Sequence, residues 1–211
     1  MTRIFLLRHA QTADVSRFHG SESDIGLSEW GHEQSRRLAD SFADLQVDAI
    51  YSSAMRRAID TARPIAQRIN CKLNQIKDLH ERSMGDLAGA CREKFRHVYT
   101  SAMDEWSGGN LDYTHPSGES FSQMQARGVP ALKRIAESHL GKNVIVVSHG
   151  MLIRVLLASL VKGMSVADLH SIKIDNVAVN ELVWDGERFN AIKLYQLPDE
   201  LRNPPDDKPF W

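Results

Sequence analysis

The sequence predicts an α/β protein: a mixed, mostly parallel central sheet with helices on both faces and a small inserted cap. Three observations carry this reading. The short, continuous apolar runs Ile4-Phe5-Leu6-Leu7 and Val144-Ile145-Val146-Val147 suit strands buried on both faces, as parallel strands are. Strand-like runs alternate with stretches of helical spacing along most of the chain. Near the end, two alternating runs, 177–184 and 189–197, are joined by Asp185-Gly186-Glu187. Asp-Gly between such runs signals a hairpin, and a hairpin gives the sheet an antiparallel edge.

The elements follow in order. Residues 4–7 form the first strand, and a polar stretch with His19-Gly20-Ser21 and Asp24-Ile25-Gly26 reads as a long functional loop. Ser28 is placed to cap a helix, with Glu29 in its first turn. Trp30, Leu38, Phe42 and Leu45 share one face of it, and Glu33, Arg36, Arg37 and Asp40 the solvated face. Residues 48–53 read as a second strand and 54–69 as a helix in which Pro64 removes one hydrogen bond. Residues 72–79 alternate weakly, as a third strand would.

The pattern from 82 to about 118 is irregular, with Gly85, Gly89, Gly108-Gly109 and Pro116, and is expected to be the cap, built of loops and short helices. A helix over 119–140 would bury Phe121, Met124, Leu132, Ile135 and Ala136, with Gly128 and Pro130 weakening its middle. The strand at 144–147 runs through Ser148-His149-Gly150 into a helix over 151–161. The organisation expected is one domain over 1–197 with its cap, then a tail over 198–211. Pro198, Pro204, Pro205 and Pro209 punctuate that tail, which ends Phe210-Trp211; the sequence leaves open an unstructured tail or an extended arm that docks its aromatics.

Composition narrows the function classes. The chain has 211 residues, a formal net charge of −1, 42% hydrophobic and 25% charged residues. That length fits one domain with a core large enough to dispense with staples. Balanced charge argues against a general nucleic-acid binder, and the hydrophobic content against a disordered chain. Cys71 and Cys91 form neither a disulfide framework nor the paired spacing of a zinc site. No run reaches the ~18 apolar residues of a membrane span. The first apolar run ends in Arg8-His9 and not in a small-residue cleavage site, so the expected location is the cytoplasm.

In open α/β sheets, ligands bind beyond the carboxyl ends of the strands. Arg8 and His9 follow the first strand. Ser52-Ser53, with Arg56 and Arg57 a helical turn on, follow the second. Glu81 follows the third, and His149 the fourth, at a helix start. This set suits phosphoryl transfer. Guanidinium groups grip phosphate oxygens and stay charged. A neutral imidazole can attack phosphorus and divide one displacement into two. Glu81 is the candidate acid for the leaving oxygen, and the amides after His149 could add dipolar help.

At these residues the chain resembles the histidine phosphatase superfamily, the phosphoglycerate mutase-like family. Leu6-Leu7-Arg8-His9-Ala10-Gln11-Thr12 is similar to its Arg-His-Gly-Glu-Thr signature. Gly20, Asp24, Leu27-Ser28, Gly31 and Gln34 follow the downstream pattern. The stretch Ser52-Ser53-Ala54-Met55-Arg56-Arg57-Ala58-Ile59-Asp60-Thr61-Ala62 resembles Ser-Ser-Pro-Leu-x-Arg-Ala-x-x-Thr-Ala, a register that puts the family's arginine on Arg57. Leu79-His80-Glu81, Gly118-Glu119-Ser120 and Val146-Val147-Ser148-His149-Gly150 complete the blocks, in order, from residue 3 to about 155.

The resemblance implies His9 as phosphorylated nucleophile, Arg8, Arg57 and His149 as phosphate pocket, and Glu81 as proton donor. Thr12, Gly20, Ser21 and Gly150 are expected to join these in substrate binding. It implies no metal and no cofactor, and a small phosphorylated metabolite as partner; homodimerisation through a sheet or helix edge is left open. Three positions depart from the pattern: Ala10 for glycine, Gln11 for glutamate, and Val15 where many members carry a phosphate-touching asparagine.

The expected activity is metal-independent hydrolysis of a small phosphomonoester through phospho-His9. A mutase is the first alternative, because Glu81-Arg82-Ser83-Met84-Gly85-Asp86-Leu87-Ala88-Gly89 partly resembles the mutases' Glu-Arg-x-Tyr-Gly-x-Leu-x-Gly. Met84 in place of the tyrosine, and a short segment from Arg92 to Gly118, favour the hydrolase. A non-catalytic phospholigand-binding protein is the second alternative. Arg82, Arg92, Lys94 and Arg96 mark the cap; two of them turned inward would point to a substrate with a second anionic group.

Overall fold

A computed structural model describes residues 1–203 of the chain. Six strands form one sheet: β1 (Thr2–Arg8), β2 (Ala49–Ser53), β3 (Leu73–Ile76), β4 (Asn143–Ser148), β5 (Val179–Trp184) and β6 (Phe189–Gln196), in the order β3-β2-β4-β1-β5-β6. The first four in that order are parallel, and β5 and β6 add an antiparallel edge next to β1. The α-helices are α1 (Glu29–Ser41), α2 (Arg56–Arg68), α3 (Arg92–Ser107), α4 (Phe121–Glu137) and α5 (Gly150–Leu160).

Strand alternation divides the core in two. Ile4, Leu6, Val144 and Val146 face α4 and α5, while Phe5, Leu7, Ile145 and Val147 face α1 and α2. Both faces of β1 and β4 are therefore covered, which is why these strands read as unbroken apolar runs.

The helix termini follow their side chains. Ser28 caps α1 by accepting the Gly31 N–H at 2.9 Å. Ser120 and Gln123 form a reciprocal capping box that starts α4 at Phe121. α4 runs through Gly128 and Pro130 and ends at Glu137, short of the expected residue 140. Gly128 is an asset there: a Cβ would lie 2.7 Å from Leu152 Cδ1, so glycine lets α4 and α5 approach closely. In the hairpin, the Asp185 carboxylate accepts the Glu187 and Arg188 amides, and Gly186 takes φ +112°.

The cap differs from the expectation of loops and short helices. α3 is a 16-residue helix, kinked at Phe95 (φ −109°, ψ 17°). Tyr99, Ala102, Met103 and Trp106 recur at helical spacing and pack against the α4–α5 side of the core. Charged and polar neighbours mask that stripe in the sequence. Below α3, Phe18, Met84 and Leu87 form a small separate cluster that joins the 12–26 loop to the cap. After β6, residues 199–201 make a 3₁₀ turn, and Leu201 is buried in the α1–α2 side of the core. The residues 204–211, with Phe210 and Trp211, lie outside the described part. No helix among the described residues is long and apolar enough to cross a membrane.

Candidate active site

The topology opens a crevice at one place. β1 and β4 are neighbours, yet β1 leads into α1 on one face and β4 into α5 on the other. Adjacent strands that send the chain to opposite faces leave a cleft beyond their carboxyl ends. Their register pairs Leu7 with Val147 and Arg8 with Ser148, so His9 and His149 emerge side by side. The ring centroids are 5.1 Å apart. The cleft is a cavity of about 540 Å³, inside the ~300–1,000 Å³ range of small-molecule sites.

The backbone of His9, Ala10 and Gln11 is fully engaged. His9 N–H donates to the Ser148 carbonyl, and its own carbonyl accepts from Asn176 Nδ2. Ala10 N–H donates to Thr61 Oγ1, itself bonded to the Arg57 carbonyl. Gln11 N–H donates to Gln34 Oε1, and its carbonyl accepts the Ser28 amide. Ala10 is not among the residues with positive φ, so alanine costs no left-handed strain here. Gln11 Oε1 accepts the Ser28 hydroxyl.

These contacts fix the imidazole tautomers. His9 Nδ1 lies 2.7 Å from the Ala10 carbonyl, which only accepts, so the proton sits on Nδ1 and Nε2 keeps its lone pair. Burial, then the Arg57 and Arg8 charges, hold this ring well below the usual histidine range, against the Ala10 bond that favours the proton. In His149 the logic reverses. Arg57 Nε donates to Nδ1 at 3.2 Å, which leaves the neutral ring a proton on Nε2. That Nε2 is buried without a hydrogen-bond partner among the described residues. Burial foremost, then Arg57, also keeps His149 well below its ordinary value. One ring offers a lone pair and its neighbour an N–H.

Arg8 and Arg57 supply positive potential. Burial lowers Arg8 to about 9 and Arg57 to about 10, both still charged near neutrality. Arg8 Nη1 donates to the Ile174 carbonyl. Arg57 is anchored by the Ser23 and Gly20 carbonyls. Glu81 lines the same cavity, and its oxygens accept from the Arg82, Met151 and Leu152 amides. The amides after His149, expected to add dipolar help at the helix start, thus bind the Glu81 carboxylate. Arg127 holds the carbonyl of Glu81 and those of Asp78 and His80.

Of the expected catalytic and substrate-binding residues, Arg8, His9, Thr12, Arg57, Glu81 and Gly150 line the cavity, and His149 lies against His9. Gly20 and Ser21 do not line it. Gly20 serves through its carbonyl on Arg57, and a Cβ there would collide with Glu22 and the Arg82 carbonyl. Ser21 N–H donates to the Arg82 carbonyl. Val15 lines the wall. Among the cap cations, Arg92, Arg96 and Arg82 line the cavity and Lys94 does not. Arg82 is fully buried over Trp106, bonded to His115 Nδ1 and the Glu119 carbonyl.

The sequence reading missed Arg154, Tyr99, Asn176 and Asn203, all of which line the cavity. Arg154 lies one turn into α5, inside an apolar helix, and a buried arginine in such a helix is the signal that marked it. No local pattern marks Asn176 or Asn203. Among the described residues, no group of three or more His, Cys, Asp or Glu is arranged to hold a metal ion.

Comparison with known proteins agrees with this geometry. Residues 4–196 match the model of the histidine phosphatase superfamily (branch 1). The chain is 29% identical to the putative phosphoserine phosphatase 2 of Hydrogenobacter thermophilus over 93% of its own length and 97% of the relative's. It is 32% identical to the metal-independent phosphoserine phosphatase of Arabidopsis thaliana, over 87% and 79%. Among solved structures it is similar to Bacillus stearothermophilus YhfR, with a TM-score of 0.82 at 27% identity and 94% and 98% coverage. With the motif order, the sheet topology and the paired histidines in agreement, this chain belongs to the histidine phosphatase superfamily, branch 1.

Proposed function

We propose that the protein is a metal-independent phosphomonoester hydrolase working through phospho-His9, on a small substrate that carries a second anionic group. The observation that carries the reading is the pairing of tautomers: a buried His9 Nε2 lone pair beside a His149 Nε2–H, with Arg8 and Arg57 around them. His9 Nε2 attacks phosphorus and the ester P–O bond breaks. Glu81 gives its proton to the departing oxygen. Water then attacks the phosphohistidine, Glu81 takes the proton, and the N–P bond breaks to release phosphate. Arg8, Arg57 and His149 face the charge that spreads over the equatorial oxygens.

Arg92 and Arg154 support the second anionic group. Both line the cavity, on α3 and α5, and Arg92 Nε is buried without a hydrogen-bond partner among the described residues. Relatives point the same way: three are named phosphoserine phosphatases, one of them as putative, and a mycobacterial glucosyl-3-phosphoglycerate phosphatase, 26% identical, has been solved with inorganic phosphate. The mutase reading draws on Glu81-Arg82 and Gly85, but Met84 fills the small cluster under the cap where the mutases' tyrosine would stand.

Rapid-quench mixing with p-nitrophenyl phosphate tests this. Acid-labile, alkali-stable phosphoprotein is expected in the native chain and none in His9→Ala. Persistent labelling of His9→Ala, or turnover without labelling, would overturn the mechanism; absence of both is the outcome for a binding protein. With phosphoserine or 3-phosphoglycerate as substrate, release of inorganic phosphate marks the hydrolase and return of the phosphoryl group to the organic product marks the mutase.

A further inference from the structure

We infer that Asn176 is a positioning residue for His9, and that Asn203, beyond the last strand, holds Asn176 in place. The inference rests on the phosphohistidine reading and adds to it a part of the chain beyond the motif blocks, which end near residue 155.

The observations begin with a turn. Residues 174–178 precede β5, and because β5 pairs with β1 they lie against Arg8 and His9. Four hydrogen bonds clamp the two together. Arg8 Nη1 donates to the Ile174 carbonyl at 2.7 Å, Asn176 Nδ2 to the His9 carbonyl at 2.8 Å, Val177 N–H to the Arg8 carbonyl at 3.2 Å, and Arg8 N–H to the Ala178 carbonyl at 3.4 Å. Within the turn, Ala178 N–H bonds the Asp175 carbonyl, and Val177 takes φ +55°. That is the third turn position, which a type II turn reserves for glycine. A β-branched side chain there is an outlier, and such strain persists only where surroundings hold it. Val177 is fully buried in the α1–α2 core, so packing holds it, and the strained turn aims Asn176 at His9.

The second observation is a closed ring of amides. Gln11 N–H can only donate, so it orients Gln34 Oε1 toward itself at 2.9 Å. Gln34 Nε2 then donates to the Leu201 carbonyl and to Asn203 Oδ1. Asn203 Nδ2 donates to Asn176 Oδ1 at 3.0 Å, and Asn176 Nδ2 ends on the His9 carbonyl. Each amide's orientation is set by its neighbour, and both ends of the ring close on the tripeptide His9-Ala10-Gln11. Asn176 is buried and forms part of the cavity wall, as does Asn203. The ring fixes the peptide planes on either side of Ala10. The Ala10 carbonyl holds the His9 Nδ1 proton. A tilt of those planes would turn Nε2 away from the phosphorus.

The test uses Asn176→Ala and the milder Asn203→Ala in the full-length chain. Loss of the Asn176 bond is expected to lower kcat and the rate of His9 phosphorylation about 10–100-fold, with the KM for p-nitrophenyl phosphate unchanged, because misplacement of a reacting group by about 1 Å costs on that order. Asn203→Ala, which loosens Asn176 without deleting it, is expected to cost about tenfold less than Asn176→Ala by the same reasoning. Rates are taken per phosphorylatable site, from the burst amplitude, so partial unfolding does not mimic the effect. Native-like phosphorylation rates in both variants, or a loss confined to thermal stability or to KM, would overturn the inference. If the native chain turns over without labelling, the phosphohistidine reading has failed; if it labels and Asn176→Ala labels as fast, only the positioning role has.

Discussion

The floor and the wall of the cavity are built by different means. The floor, with Arg8, His9, Arg57 and His149, stands on strand ends and helix starts in the middle of the sheet. Backbone and side-chain partners fix both of its rings by tautomer. The wall, with Phe18, Met84, Arg92 and Tyr99, is held by a small apolar cluster joining a loop to the kinked α3, which packs its other side chains on the α4–α5 core. Phe18 and Tyr99 stack there at 5.4 Å, and Arg92 reaches over Phe18. A floor of this kind suits charge stabilisation, which needs donors in place before reaction. The wall's inward side chains come from a loop and a cap helix, so they can differ without disturbing those donors. The difference assigns chemistry to the floor and substrate choice to the wall.

The sharpest way to break this division is to remove one floor donor. His149→Ala deletes the Nε2–H and also leaves Arg57 Nε without its acceptor. A fall in kcat of about 10²–10³-fold is expected, the cost of losing one preorganised donor. Steady-state kinetics on p-nitrophenyl phosphate, which lacks a second anion, should show it as fully as any other substrate. A loss seen only with larger substrates would move His149 from the floor to the wall.

Arg92→Ala probes the other side with a smaller effect. A charge-assisted hydrogen bond contributes about 1.5–3 kcal/mol, so kcat/KM should fall about 10–100-fold for a phosphorylated carboxylic acid. For p-nitrophenyl phosphate the same variant should stay within about threefold of the native chain, because a hydrogen bond that is not made cannot be lost. Equal losses on both substrates would show that Arg92 acts on the phosphate itself and that the wall reaches into the chemistry.

The same division explains what the sequence disclosed. Floor residues sit directly after apolar strands, where periodicity and topology rules locate them, and the parallel core with its antiparallel hairpin was legible for that reason. Wall residues depend on tertiary contacts. α3 hides its stripe of Tyr99, Ala102, Met103 and Trp106 among charges, and its inward arginines cannot be told from solvated ones by spacing. The partners behind the floor are hidden in the same way: Asn176 and Asn203 are 27 residues apart and meet only through the fold. The family pattern makes Gly20 a substrate contact; in the structure its carbonyl meets Arg57. Motif matching assigns a position without saying which of its atoms is used.

The smallest effect expected is on stability, and its sign follows from the floor. His9 and His149 titrate near 6.5 when unfolded and well below that when folded, chiefly because burial disfavours the charged ring. Below pH 6.5 and above the folded values, the unfolded chain therefore binds more protons. Stability rises with pH in that window and is lost as pH falls through it, by at most about 1.4 kcal/mol per pH unit for each group. His115, outside the cavity under the cap, is lowered in the same direction, but its bond to the Met84 carbonyl opposes the effect of burial. Denaturant unfolding between pH 5 and 7 should thus lose more of its pH slope in His149→Asn than in His115→Asn. A steeper loss in His115→Asn would mean that burial acts more strongly on a proton under the cap than in the floor, and that the floor rings are less shielded from water than their partners imply.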